Sequence, residues 1–557
     1  MDPSFKLPIE YIEKKHKINK NIQGDLELVT YDQSGVRLYN KLLGCESKYY
    51  DLNQDSWVEY FTSDIEFLED TQLLLQDNSF PKYIDCNETL NIYNETNNKD
   101  KDAFHHKYDY IDYDTLKPLN ENTQFLQFFS LYNISSPIIS FITPIIFIIM
   151  PFFLMKLQGH SLNIKNYVDV LLKILKNHSI GKLFTMDSDL PLSKKIYIVI
   201  SFGFYIFQIY QNILFSKRFI DNMKHIHSHL FTIRDFIKNS IANMDSIHLM
   251  NYSSYKPFIE DMMRYKNKLE IIGDELLNIS EPKVSIDKML QIGHVMKIFY
   301  KMYMNPLYKE TIQYAIYFNG YILNMNTFQD KIQDKKINKC KFTNTMDFTK
   351  SYFAEYENED NVKNTYNFKK NMLITGPNAS GKTTILKSTL FNIILSQQIG
   401  YGYYSEANIN PYQHIHSYIN IPDTSGRDSL FQSEARRCKN ILDDIKKYNN
   451  DRHFCIFDEL FSGTNPIEAT ASSYGFLSHI KKYKNVNCMI TTHFVKLCKL
   501  LKKEVDMRYM DSQNNETGIE YTYKMKKGVN HINGGIQILK DMDFPKDMID
   551  YTLKIKK

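Results

Sequence analysis

An α/β fold over the last third of the chain, behind a mainly α-helical region, is what this sequence predicts, and three observations predict it. The stretch "NMLITGPNASGKTT" sets a short apolar run, Met372 to Thr375, before a glycine-containing turn and a helical run from Thr384 onward. Two further apolar runs, "HFCIF" (453–457) and "NCMITT" (487–492), are strand-like and lead into polar residues, Asp458–Glu459 and His493. Ahead of them, "FTIRDFIKNSIANM" places Ile233, Phe236, Ile237 and Ile241 at i, i+3, i+4 and i+8, one helical stripe.

The chain has 557 residues, beyond one ordinary core, so two to four domains are expected. Hydrophobic residues at 43% and charged residues at 24% place it among globular rather than disordered chains. The 68 basic and 64 acidic residues nearly cancel, so bulk charge argues neither for nor against nucleic acid. The cysteines at 45, 86, 340, 438, 455, 488 and 498 form no C-x-x-C pair. The opening "MDPSFKLPIEYIEKKHK" is polar and carries no cleavable signal. Reduced thiols in a cytoplasmic or nuclear-type compartment are expected, with membrane association left open.

Four segments follow from composition. Residues 1–120 read as a helical, core-like region with a polar insertion, "NETNNKDKDAFHHKYDYIDYD" at 94–114. Residues 121–219 hold two apolar helical segments around a basic amphipathic linker, residues 220–330 form charged antiparallel helices, and residues 331–557 carry the α/β domain.

The apolar segments pose an open question. Asn122 to Met155 has no charged side chain, and neither has Ile196 to Ser216 after the Lys194–Lys195 pair. About 20 helical residues cross roughly 30 Å of hydrocarbon, so two membrane spans are one reading. Core helices are the other. Pro137, Pro144 and Pro151 would kink a span, Gln208, Gln211 and Asn212 would lack partners in lipid, and the lysine-rich connection opposes the positive-inside tendency. The linker "NYVDVLLKILKNHSIGKLF" could also lie on a membrane surface.

The turn after Thr375 gives Gly376, Pro377, Asn378, Ala379, Ser380, Gly381, Lys382, Thr383 and Thr384, which is G-x-x-x-x-G-K-T between a strand and a helix. Such glycines let successive N–H groups converge on phosphate oxygens at a helix N-terminus. Lys382 is expected on the β- and γ-phosphates and the Thr383 hydroxyl on Mg²⁺. In "HFCIFDEL", Asp458 is placed to hold the same Mg²⁺ and Glu459 to polarise an attacking water. The third strand ends on His493, a candidate contact for the γ-phosphate or that water.

These residues carry a resemblance. The turn reads G-P-N-x-x-G-K-[ST], the acidic strand continues "DELFSGTNPIEATA", and the third strand reads "ITTHF". Together they resemble the ATPase domain of the MutS family of DNA mismatch-recognition proteins, a branch of the ABC-type ATPases. The family typically shows G-P-N-M-G-G-K-S, then D-E with G-T-[ST], then T-H. Here Ala379–Ser380, Thr383 and Asn465 depart from it. The segment "IPDTSGRDSLFQSEARRCKNIL" (421–442) is similar to the family's S-G-R-S-T-F-x-x-E-M, with one extra residue after Arg427. Aligned on Glu434, the signature serine falls on Ser429, whose alternative reading is a plain helix cap. The tail at 521–555 looks like the family's closing segment, and "LVTYDQSGVRLYNKLLG" more weakly like the start of its helical core.

The resemblance implies an α/β P-loop (ABC-type) ATPase domain at the C-terminus, preceded by a mainly α-helical core and lever region at 220–330. It implies ATP and Mg²⁺, a homodimer or a heterodimer with another MutS-like subunit, Ser429 reaching the partner's γ-phosphate, and double-stranded DNA as the object clamped. The family's mismatch-reading N-terminal domain has no room before the core-like segment, and "FAE" at 353–355 is too close to the ATPase domain to replace its F-x-E wedge. Two other readings stand beside it. One is a membrane-anchored MutS-like ATPase with a non-repair role. The other is a transporter-type or chromosome-maintenance ATPase, which the missing L-S-G-G-Q disfavours.

Overall fold

The computed structural model describes residues 4–28, 38–44, 52–85, 87–97, 101–157, 159, 163–176, 191–279, 289–354, 361–419, 421, 429–515, 518–529, 539, 542 and 544–555. Most of "LVTYDQSGVRLYNKLLG", residues 422–428 of the signature segment and part of the closing tail lie outside them. The chain divides into two compact units. One comprises Met1–Asp85, Ala242–Tyr265 and Tyr314–Lys557, and the other Cys86–Ile241 and Lys266–Gln313.

The strands, in chain order, are β1 (Lys15–Lys17), β2 (Tyr60–Thr62), β3 (Asn338–Phe342), β4 (Asp347–Ser351), β5 (Asn364–Asn367), β6 (Met372–Thr375), β7 (Tyr401–Gly402), β8 (Glu406–Ile409), β9 (His414–Tyr418), β10 (His453–Phe457), β11 (Val486–Thr492), β12 (Asp506–Asn515) and β13 (Gly518–Lys527). The helices used below are α1 (Ile65–Gln76), α2 (Thr123–Leu157), α3 (Ile164–Leu175), α4 (Leu192–Leu249), α5 (Ile292–Met304), α6 (Lys382–Ile399), α7 (Leu430–Lys447) and α8 (Pro466–Ile480).

In the first unit a six-stranded sheet runs β13-β12-β6-β11-β10-β9. Its strands β9, β10, β11, β6 and β12 are parallel, and only the edge strand β13 is antiparallel. Strands covered on both faces need apolar residues without alternation, and every residue of β6 and β10 is buried. Leu373, Phe457 and Ile490 from the strands meet Cys438, Ile441 and Ile445 of α7 and Phe476, Leu477 and Ile480 of α8 in one core. A second sheet, ordered β5-β4-β8-β3-β7, lies in the same unit.

Helix α6 is buried on nearly every side from Ile385 to Ile399, glutamines included. Those amides receive the N-terminal segment. Gln397 Nε2 donates to the Thr62 carbonyl at 2.9 Å and Gln398 Nε2 to the Trp57 carbonyl at 2.6 Å. At the end of α6, Gly400 adopts φ +75°, and a Cβ there would lie 2.4 Å from Cγ of Gln72 on α1. The Gln72 amide uses that gap to reach the Gly400 carbonyl at 2.7 Å. The five described cysteines are free and buried, in keeping with reduced thiols.

The second unit is helical. Its first apolar segment is one helix, α2, unbroken through Pro137, Pro144 and Pro151. A proline frees the carbonyl four residues back. The Asn133 carbonyl, freed by Pro137, accepts from Ser136 Oγ at 3.1 Å, and the Ser140 carbonyl, freed by Pro144, accepts from Tyr205 Oη at 2.8 Å. Gly293 of α5 allows α2 to approach its backbone, since a Cβ there would lie 2.4 Å from the Thr123 carbonyl oxygen. Beyond that base, α2 and the first half of α4 leave most of their apolar side chains exposed.

Candidate nucleotide site

The parallel register brings the motif-bearing strand ends to one edge. Phe457 pairs with Ile490, and Thr492 with Thr375, so the residues after β6, β10 and β11 emerge side by side. In open parallel sheets this carboxyl edge is where ligands bind.

The turn after β6 needs its glycines. A Cβ at Gly376 would lie 2.7 Å from Ser380 Oγ, and Gly381 caps α6 with φ +89°. Ala379 also takes positive φ, at +63°. Lys382 is buried, and its ammonium donates to the carbonyls of Gly376 and Pro377 at 3.0 and 3.1 Å. It also pairs with Glu459 at 3.3 Å. Thr383 Oγ1 donates to Asp458 Oδ2 at 2.6 Å, while Thr491 Oγ1 donates to Asp458 Oδ1 and accepts from the Glu459 N–H at 3.1 Å.

Glu459 sits at φ +49°, a left-handed conformation that non-glycine residues seldom adopt. His493 Nδ1 lies 3.6 Å from its other oxygen. Hydrogen bonding to His493, then the Lys382 charge, holds the Glu459 carboxyl below the usual carboxylate range against the opposing effect of burial. The structure thus brings Lys382, Thr383, Asp458, Glu459 and His493 together.

A cavity of about 850 Å³ opens over this cluster, lined by Asn378, Ala379, Gly381, Lys382, Thr383, Thr384, Asp458 and Glu459. Gly376, Pro377 and Ser380 shape the turn without lining the cavity. Two features fit a polyanion. Lys382 is satisfied only by carbonyls and one carboxylate, and Ser380 Oγ is buried without a partner among the described residues. The Thr383 hydroxyl and the Asp458 carboxylate supply hard oxygen ligands of the type Mg²⁺ takes.

Ser429 stands elsewhere. It caps α7, accepting from the Gln432 N–H at 3.3 Å while Gln432 Oε1 accepts from the Ser429 N–H at 2.9 Å. It does not line this chain's cavity. Its helix is nevertheless tied to the loop after Glu459. Buried Glu434 accepts from the N–H groups of Ser462 and Gly463, at 3.1 and 3.2 Å, and a Cβ at Gly463 would lie 2.7 Å from Leu430. Asn465, the departure from G-T-[ST], accepts from the N–H groups of Ile467 and Glu468 and caps α8.

Some site residues escaped sequence reasoning. Tyr352, Phe353, Met510 and Tyr523 also line the cavity, and Thr491 donates to the Asp458 carboxylate while accepting from the Glu459 N–H. Only Thr491 had a local signal, its place two residues before His493.

Comparison with known proteins converges on the same stretch. Residues 372–557 match the family model described as MutS domain V. Over 188 residues the chain is 30% identical to MutS protein homolog 4 of Mus musculus, which covers 32% of this chain and 19% of that protein. It is 28% identical over 188 residues to the DNA mismatch repair protein MutS of Finegoldia magna, covering 33% of this chain and 22% of that one. It is 27% identical over 212 residues to Endonuclease MutS2 of Staphylococcus aureus, covering 37% and 26%. The matched stretch thus spans about a fifth to a quarter of these relatives.

Proposed function

We propose, from the premise that this chain is a MutS-family protein through its domain V at residues 372–557, that it hydrolyses ATP as a dimer and couples that cycle to holding double-stranded DNA. The observation that carries the reading is the meeting of Lys382, Thr383, Asp458 and Glu459 at one cavity at the carboxyl edge of the sheet, with His493 against Glu459.

The turn's N–H groups and Lys382 hold the phosphates, and the aromatic lining from Tyr352, Phe353 and Tyr523 suits a purine. Phosphate oxygens replace the Gly376 and Pro377 carbonyls and Glu459 as partners of Lys382. Glu459 is then free to orient a water, with His493 fixing its second oxygen. Thr383 and Asp458 would hold Mg²⁺, which would supply neutralisation of the phosphate charge. Ser429, exposed at the start of α7, completes the site of a second copy or of a related subunit. Helices over 220–330 act as levers on the DNA. Contact with the sugar-phosphate backbone through lysines makes that grip salt-dependent.

Phosphate release and sedimentation test this. Glu459→Gln should slow turnover by about 10²–10⁴-fold, while a non-hydrolysable ATP analogue still joins two copies. Ser429→Ala should weaken that joining. Duplex retained on filters at low salt should be lost as salt rises. Unchanged turnover in Glu459→Gln removes the catalytic reading, and no retention of DNA at low salt removes the clamp.

A further inference from the structure

The second unit carries a surface that the ATPase reading does not use. From the level of Ile134 and Ser216 to that of Ser140 and Tyr205, α2 and the first half of α4 are joined antiparallel. Ser216 Oγ donates to the Ile134 carbonyl at 3.1 Å, Asn212 Nδ2 to Ser140 Oγ at 2.7 Å, and Tyr205 Oη to the Ser140 carbonyl at 2.8 Å. Outside that seam, large apolar side chains such as Ile138, Phe141, Ile145, Phe204, Phe207 and Tyr210 are exposed, Phe204 at 68%. At 100° per residue these exposed positions cover more than half the circumference of each helix. That is unlike the single stripe of a helix docking on protein.

We infer that this α2–α4 hairpin is an integral membrane anchor, with both arms embedded in the hydrocarbon core of a lipid bilayer. Three observations favour lipid over a second protein surface. From Ile196 to Ser216 the arm carries no charge, and at 1.5 Å per residue it reaches about 31 Å, the thickness of bilayer hydrocarbon. Basic residues bracket the arms, with Lys156, Lys194 and Lys195 at the tip and Lys217 at the base. There they reach anionic headgroups at either face. Third, several polar groups inside the arms, Gln208 and Gln211 excepted, are satisfied by the hairpin itself, which lipid requires and water does not. Tyr205 takes the carbonyl freed by Pro144, Asn212 takes Ser140, and Ser135, Ser140 and Thr143 donate to carbonyls one turn back. This answers the objections from Pro137, Pro144 and Asn212.

Next to the tip, α3 has no buried residue and separates Ile164, Val168 and Leu172 from Lys165, Asp169 and Lys173. Tyr167 Oη ties it to the Ile148 carbonyl at 2.7 Å. Such a helix suits the headgroup boundary. Gln208 and Gln211 are exposed and oppose insertion, since lipid offers amides no partner. Both lie in the half of the arm nearer Ser216.

The test is synthesis of the full chain with liposomes of phosphatidylcholine containing one quarter phosphatidylserine, then flotation and a carbonate wash at high pH. The chain should float and resist the wash. A Lys at a span centre opposes insertion strongly. The double variant Ile142→Lys, Phe207→Lys should therefore lower the carbonate-resistant fraction at least about tenfold. Gln208→Leu with Gln211→Leu should raise it, which guards against a lysine variant that merely misfolds. The inference is overturned if the chain stays soluble, as single particles or as an oligomer of its own copies. It is equally overturned if carbonate releases it, or if the leucine variant lowers retention. No nucleotide enters the readout, so a chain that floats but does not hydrolyse ATP fails only the proposed function.

Discussion

The turn around Lys382 and the arms of the α2–α4 hairpin differ in where their surplus groups find partners. In the turn each charged group already has one within the chain. Lys382 holds Glu459 and two carbonyls, Thr383 holds Asp458, and Thr491 holds both acidic residues in place. In the arms the described seam is satisfied and most of the outer apolar surface is covered by nothing among the described residues. A site that is paired internally acts by exchanging partners, so its signature is kinetic. A surface without partners must gain one, so its signature is partition between phases. Helix α4 contains the second half of that contrast within itself. Beyond Ser216 its apolar residues Phe219, Met223, Ile226, Leu230 and Ile233 fall at alternating spacings of four and three and are buried.

The largest effect should come from crossing that boundary along α4. Phe219 is 1% exposed, and Phe219→Ala should cost about 3–5 kcal/mol of stability in urea-dependent proteolysis. Phe204→Ala, fifteen residues earlier on the exposed arc, should change it by less than about 0.5 kcal/mol. Equal losses would show that something within the chain covers both halves, and the contrast would fail. A smaller effect is expected in the turn. Thr491→Val keeps the side chain's shape but leaves the Glu459 N–H without its acceptor and Asp458 Oδ1 without its donor. It should destabilise the first unit by about 1–3 kcal/mol and slow phosphate release. Unaltered turnover would mean that the carboxylates are positioned without Thr491.

The candidate site was more legible than its surroundings because its signals are local. G-x-x-x-x-G-K-T, Asp458–Glu459 and His493 each follow a short apolar run, and a parallel sheet puts the ends of such runs at one edge. The aromatic lining of the cavity was not legible, since Tyr523 comes from the antiparallel edge strand β13 and Tyr352 from just after β4, with nothing in either stretch to announce a ligand. Docking of the N-terminal segment was hidden for another reason. Gln72, Gln397 and Gln398 read as ordinary helix residues, and their partners lie hundreds of residues away. The prolines of α2 show a rule applied without its condition. Proline removes a hydrogen bond from the ladder, and for Pro137 and Pro144 the freed carbonyls find donors in Ser136 and Tyr205, so the helix continues.

A buried histidine pair stands between the two extremes, satisfied within the chain but in one protonation state only. His416 Nε2 lies 3.1 Å from His453 Nδ1, and His453 Nε2 lies 2.9 Å from the Tyr448 carbonyl. The carbonyl needs a donor, so His453 carries its proton on Nε2 and accepts from His416 on Nδ1. Burial first, then the neighbouring charges of His453, His414 and Arg437, lower the His416 pKa to about 3. Between the ordinary histidine value, about 6.5, and that lowered one, the unfolded chain binds a proton that the folded chain refuses. Stability should therefore be unaffected by this residue above the window and fall as pH drops through it, by up to about 1.4 kcal/mol per pH unit. His16, lowered to about 4 by burial and then by His414, adds a parallel share. His416→Gln should flatten the acid limb of urea midpoints for the first unit by its own share, leaving those of His16 and of His453, which burial also lowers. If the limb keeps its slope, His416 takes up its proton in the folded state, and the pair belongs with the groups that exchange partners rather than with those that hold them.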